Sequence, residues 1–180
     1  MHCTNQLLVH CLHLDDSERR LIRSSPAWVV HNPESNMHNR VGHFDSRELG
    51  GRIFFGTDGM HGDMLQSTRA AYLIGRQYDP VDIPTTLQRL RNVHNYLQMN
   101  SFSGDADNNL VVFDYDNGTE MNQDNFSAHL IFGLGTRHVQ HVISQGKLIV
   151  RDRKIQTVDE TEILHTSRKL ANKLWDKMRR

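Results

Sequence analysis

At 180 residues the chain is long enough for one domain with a real core, or for one domain and part of another, and too short for a complete eight-stranded α/β barrel enzyme. Its 21 basic residues cancel its 21 acidic ones, so nothing in the charge balance points to nucleic acid or to an anionic membrane, and a small molecule or a protein is the expected partner. The longest apolar runs, Leu7-Leu8-Val9 and Leu130-Ile131-Phe132, fall far short of a membrane span, which gives the expectation of a soluble, cytoplasmic protein without membrane contact.

From the N-terminus, Leu7 to Leu12 reads as a buried strand. Asp15-Asp16-Ser17-Glu18 supplies capping and acidic residues for a short helix that Pro26 closes. Trp28-Val29-Val30-His31 is the next strand, ended by a proline-fixed turn at Asn32-Pro33. Met37 to Gly51 is polar, and the helix due there is very short or absent. Arg52 to Phe55 makes a third strand, broken by Gly56-Thr57-Asp58-Gly59. Met60, Met64, Leu65, Thr68, Ala71 and Tyr72 then recur at helical spacing, and a second helix covers Thr85 to Met99. This alternation of short apolar runs and amphipathic stretches is the rhythm of βα units, so residues 1–99 read as an α/β piece.

After Met99 the character changes. A polar linker over residues 100–109 leads to strands at Leu110–Phe113, Val139–Ile143 and Lys147–Val150, with Gln145-Gly146 as the last turn. Thr157 and Glu160 have the spacing of a capping box, opening a terminal helix with a stripe of Ile163, Leu170, Leu174 and Met178 beside Ala171 and Trp175. Residues 100–180 therefore read as a small β domain with a C-terminal helix. Cys3 and Cys11 form no CxxC pair and are expected as reduced thiols. The 12 histidines include His10, His13, His31, His38, His43 and His61 in the first third, which raises a metal hypothesis.

Three elements carry chemistry. Asp58 follows an apolar strand, where a carboxylate points into the active-site mouth of an α/β barrel; His10 ends the first strand, where an imidazole ligates a metal or holds a metal-bound hydroxide. The segment His31-Asn32-Pro33-Glu34-Ser35-Asn36 ends the second strand with groups able to bind a polar ligand. Taken singly, each is equally a turn, a buried histidine or a well-formed loop. Their order, each at the end of a successive strand, resembles the branch of the amidohydrolase superfamily that contains the cytosine, guanine, adenosine-derivative and triazine aminohydrolases. The matching residues are Val9-His10-Cys11, Val30 to Met37 and Phe55 to Gly59.

That resemblance implies the C-terminal part of a metal-dependent-hydrolase TIM barrel, strands six to eight, followed by part of a small β-sandwich domain. Leu110 to Tyr115, Asp124-Asn125-Phe126, His129, Phe132-Gly133, Val142 to Lys147 and Leu174-Trp175 look most like the selenium-metabolism-associated aminohydrolases. The implied reaction is deamination of an aminated heterocycle with one divalent metal, zinc first and iron or manganese otherwise. The implied roles are Asp58 as metal ligand and proton acceptor and His10 as acid/base partner. Asn32, Ser35 and Asn36 would face substrate; His61 matches no fixed family role and is a candidate substrate-binding residue by its closeness to Asp58 in the sequence. The family's His-x-His pair and its strand-five histidine are not in this chain, so its ligand set is expected to be incomplete. The chain alone is expected to be inactive, with a homo-oligomer or a complementing N-terminal fragment as partner. The alternative is a non-catalytic binding or assembly module of the same fold.

Overall fold

The computed structural model describes residues 6–102, 104 and 108–179. The thiol expected at Cys3 lies outside them; Cys11 is a free cysteine, and its partial burial pushes the thiol pKa up. The chain divides into two compact units, Met1–Asp105 with Tyr115–Arg137 and Ala106–Asp114 with His138–Arg180. Among the described residues no helix is long and apolar enough to cross a membrane.

The first unit is built on a parallel sheet in the order β1 (Leu7–Val9), β2 (Trp28–His31), β3 (Ile53–Phe55). Leu8 pairs with Val29, and Val29 with Ile53. Strand alternation sends Val29 and Ile53 to one face, where they bury against Phe44 and Leu49 with Cys11, Leu12, Leu14 and Ile22 around them. Trp28, Val30 and Phe54 go to the other face, under Val93 and Tyr96. Both faces of β2 and β3 are thus covered, which is why their strands read as unbroken apolar runs.

The first strand is shorter and wetter than the sequence suggests. It stops at Val9, and Leu7 and Val9 are 42% and 51% exposed because β1 is the sheet's edge. Its ladder continues through His10 N–H to the Val30 carbonyl, but a tight turn closes at once, with Cys11 N–H donating to Val9 C=O at 3.0 Å. His10 takes φ +71° in that turn, which is the rarer γ-turn hand.

Helix α1 (Asp16–Ser24) starts at a complete capping box, Asp15 with Glu18. Pro33 does not fix a turn: it is the first residue of α2 (Pro33–Asn39), a position where a missing N–H costs nothing, and Asn32 is the N-cap. Arg40 ends α2 in the left-handed region, and residues 40–52 run on without a helix. A buried polar knot fixes that loop. Asp79 accepts from Arg89 Nη1 at 2.5 Å, from Ser46 N–H at 2.8 Å and from the Ser46 hydroxyl, while Arg89 also bonds Ser46 Oγ.

Helix α3 (Met64–Tyr78) begins four residues later than the Met60 start expected, because Asp63 caps the amides of Leu65 and Gln66 and Met60 stays exposed in the loop. Helix α4 (Ile83–Met99) begins two residues early, capped by Asp82 with Pro84 in its first turn. Asn92 of α4 donates to the Gly51 and Ile53 carbonyls and fixes the entry of β3. A short α5 (Phe126–Ala128) runs into a π-turn, His129–Gly133, in a stretch with no helical or strand periodicity of its own. Arg69 of α3 holds it through the Ile131 and Leu134 carbonyls, at 2.7 and 2.8 Å.

The second unit contains one antiparallel sheet in the order β4 (Leu110–Phe113), β5 (Val139–Ser144), β6 (Lys147–Arg151), β7 (Lys154–Ile155). Gln145 and Gly146, both at positive φ, make the expected hairpin turn; Asp152 and Arg153 make another of the same hand, leading into β7, which the sequence did not suggest. Helix α6 (Glu160–Met178) corrects the capping box proposed at Thr157: the N-cap is Asp159, which accepts from Glu162 N–H. Its stripe of Ile163, Leu170, Leu174 and Met178 is exposed rather than packed.

Candidate functional site

All three parallel strands point the same way, so the residues that follow them gather at one end of the sheet. There, His10 Nε2 stands 3.6 Å from Asp58 Oδ2, with the two side chains 39% and 44% exposed. Between them and the first turn of α2 lies an open cavity of about 630 Å³, walled by His10, Ser35, Asn36 and Asp58 with His13 and Val41 beyond.

Asp58 reaches its place through a left-handed backbone, φ +53°, a conformation that aspartate tolerates better than most residues. The glycine two residues earlier is needed for space. A methyl group on Gly56 would come within 2.3 Å of Asn32 Oδ1 and 2.9 Å of Val30 Cγ1. The Ser35 hydroxyl donates to Asp58 Oδ2 at 2.7 Å and Gly59 N–H donates to Oδ1 at 2.8 Å. Those two bonds, with a smaller contribution from His10, hold the carboxyl below its ordinary 3.8, so it is ionised at neutral pH.

His10 is held from behind. Its Nδ1 lies 2.6 Å from Asn36 Oδ1, and with the amide oxygen as acceptor Nδ1 donates, leaving Nε2 to face Asp58. Asn36 is itself 3% exposed.

Asn32 and His61 sit elsewhere. Asn32 is buried under Gly56 at the end of β2. His61 Nε2 is 2.7 Å from Glu34 Oε2, and its Nδ1 accepts from Asp63 N–H at 3.0 Å. Glu34 also accepts from Gln66 Nε2 at 2.6 Å and Ser67 Oγ at 3.1 Å. Burial pushes Glu34 upward, and the bonds from Gln66, His61 and Ser67 outweigh it and hold the carboxyl below its usual range. Sequence reasoning missed Glu34, although it stands inside the quoted motif; an acidic residue in a helix's first turn is already accounted for by the helix dipole. His31 is also close by but closed off: stacked on Phe44 at 4.2 Å, it is pushed down to about 3 by burial and by the charge of Arg89, so it stays neutral.

Among the described residues, no group of three or more His, Cys, Asp or Glu side chains comes together to hold a metal ion. A zinc site takes about three protein ligands, so the side chains present do not fit a metal on their own.

No family model matches the chain. It is similar to a 5-methylthioadenosine/S-adenosylhomocysteine deaminase of Desulforudis audaxviator, 27% identical over an alignment of 186 positions that covers 93% of this chain and 43% of the relative. In fold it resembles an adenosine deaminase of Xanthomonas campestris with bound zinc, at a TM-score of 0.81 and 21% identity over 97% of this chain and 44% of that one. It also resembles an atrazine chlorohydrolase of Arthrobacter aurescens complexed with zinc, at a TM-score of 0.71 and 16% identity over 91% and 40% of the two chains. The chain thus spans less than half the length of the proteins it matches. Over most of its length the chain is thus similar in sequence to a deaminase and in fold to zinc-bound adenosine deaminase and atrazine chlorohydrolase structures.

Proposed function

We propose that this chain supplies part of the active site of a metal-dependent aminohydrolase that removes an amino group from a purine-type or related heterocycle. The observation that carries the reading is the meeting of His10 and Asp58 at one end of the parallel sheet. In this reading β1, β2 and β3 are strands six, seven and eight of a TIM barrel, and the second unit is part of the small β-sandwich domain. The deaminase names of the relatives support that substrate class; the selenium-metabolism-associated group is the narrower alternative. A cytoplasmic location goes with a small heterocyclic substrate.

Asp58, ionised and fixed by Ser35, accepts the proton of the attacking water. His10, presenting Nε2 to the cavity, exchanges a proton with the tetrahedral centre as acid/base partner. Ser35 and Asn36 line the cavity, while Asn32 and His61 stand outside its lining. The divalent metal that the relationship implies, zinc before iron or manganese, would find Asp58 here and its other ligands on polypeptide outside these 180 residues, whether a complementing fragment or a second subunit.

The test is to purify the chain, add zinc, and measure ammonia release from methylthioadenosine, adenosine, guanine and aminated triazines, alone and with a polypeptide carrying the first five barrel strands of a relative. Activity only in the mixture, abolished by Asp58→Asn, is the expected result. Mixed activity unchanged by Asp58→Asn overturns the assignment, and turnover by the chain alone with stoichiometric zinc overturns the need for a complement. That no three-ligand cluster forms among the described residues favours a second reading, a binding or assembly module of the same fold. A stable mixed complex with no turnover would establish it.

A further inference from the structure

Glu34, Ser35 and Asn36 are consecutive residues in the first turn of α2, and each grips a different side chain from a strand-end loop. Glu34 takes His61, Ser35 takes Asp58 and Asn36 takes His10, at 2.7, 2.7 and 2.6 Å. Ser35 and Asn36 are each 3% exposed and the Glu34 side chain 14%, whereas the groups they hold range from 22% to 44%. Buried, immobile groups thus hold exposed ones that would otherwise sample several rotamers.

We propose that the Glu34-Ser35-Asn36 turn is a positioning platform that sets the relative placement of His10 and Asp58, and that Ser35 and Asn36 serve there as supports rather than as substrate contacts. Helix α2 suits that task. Pro33 fixes its first φ, the left-handed Arg40 ends it after seven residues, and its first turn lies directly after β2, between the loops that follow β1 and β3. The loop from Gly56 to Asp63 is held at two points three residues apart, Asp58 and His61, by two adjacent residues of the platform. Asp63 then caps α3 and also donates its N–H to His61 Nδ1. That backbone donor decides the tautomer: neutral His61 carries its proton on Nε2 and donates it to Glu34. Glu34 therefore acts on Asp58 at a distance, by anchoring the loop that carries it.

The inference uses the deaminase reading only for its choice of His10 and Asp58. Its test needs neither substrate nor metal, so the two fail separately. Backbone amide exchange and the side-chain ¹⁵N signals of His61 are measured on the whole chain at pH 8. Wild type is expected to show His61 protonated on Nε2; protonation on Nδ1 overturns the platform. In Glu34→Ala, exchange at Gly59 N–H, which is bonded to Asp58, should rise by about tenfold or more, while Val29 and Phe54 in the sheet keep their protection. Glu34→Gln retains an acceptor for His61 and should restore the wild-type rate at Gly59. Unchanged exchange at Gly59 in Glu34→Ala, or an equal rise at Val29 and Phe54, overturns the proposal. Should Glu34→Ala fail to fold, Ser35→Ala read by the same amides decides.

Discussion

His31 makes the stability of the first unit depend on pH in a direction and window that the structure fixes. The ring is 4% exposed, stacked on Phe44 and edge-on to Phe55 at 5.9 Å, and its Nδ1 has no hydrogen-bond partner among the described residues. Burial and the charge of Arg89 take its pKa from 6.5 in the unfolded chain to about 3 in the fold, against a smaller opposing effect of Asp79. A histidine depressed in the fold is fully stabilising above its unfolded value, and that stability is lost as pH falls from 6.5 toward 3. At about 1.4 kcal/mol per tenfold change in binding constant, the full loss is about 5 kcal/mol. By pH 5 the unfolded chain binds the proton and the fold does not, which costs about 2 kcal/mol. Urea unfolding at pH 7 and pH 5, followed by Trp28 fluorescence in a Trp175→Phe background, measures this directly, since Trp28 is buried in this unit and Trp175 is exposed on α6. His31→Phe keeps the stack on Phe44 and removes the titration. The wild type should lose about 2 kcal/mol more than His31→Phe between the two pH values. Equal losses, within about 0.5 kcal/mol, would refute the argument that this ring is held neutral by burial.

Arg89→Met leaves the Asp79 carboxylate, 2% exposed, with Ser46 but without its counter-charge, and should destabilise the first unit by about 3–5 kcal/mol in the same urea assay. A loss below about 1 kcal/mol would mean that water reaches Asp79. Gly56→Ala forces a methyl group onto Asn32 and Val30 and should cost about 1–3 kcal/mol, with calorimetry as the check; a neutral result would show that the end of β3 moves aside freely. In a complemented, active assembly, Asp58→Asn should lower turnover about 10²–10⁴-fold as a proton-accepting group is lost, and a smaller loss would place the base elsewhere.

What the sequence made legible was local chemistry that needs no tertiary partner. Asp15 with Glu18 marks the start of α1, Gln145-Gly146 marks the β5–β6 turn, and the run Trp28 to His31 marks a strand buried on both faces. Where the sequence misled, a tertiary fact decided. β1 is short because it is an edge strand and bends at His10. Pro33 opens a helix at whose first position its missing N–H costs nothing, although Asn32 before it makes no side-chain capping bond, and Asp159 rather than Thr157 caps α6. The π-turn at His129–Gly133 depends on Arg69, more than sixty residues away, and no local pattern announces it. At the candidate site, the placement of His10 and Asp58 followed from strand ends alone. The partners of His61 did not, because Glu34 reads as an ordinary first-turn acid until α3 brings Gln66 and Ser67 against it.

The backbone joins the strain of the candidate site to its supports. His10 and Asp58 are both non-glycine residues at positive φ, +71° and +53°, and such conformations cost on the order of 1–3 kcal/mol each, so they persist only where the surroundings over-determine them. Here the surroundings are identifiable. The ladder bond from His10 N–H to Val30 and the Asn36 contact hold one residue, while Ser35, Gly59 N–H and the His61 anchor hold the other. Were the strain incidental, relaxing either residue would turn its side chain away from the cavity and stabilise the chain. It persists because the same first turn of α2 binds both side chains, so neither relaxes without breaking a hydrogen bond to a buried partner. The 3.6 Å approach of imidazole and carboxylate therefore rests on hydrogen bonds that these residues make among themselves.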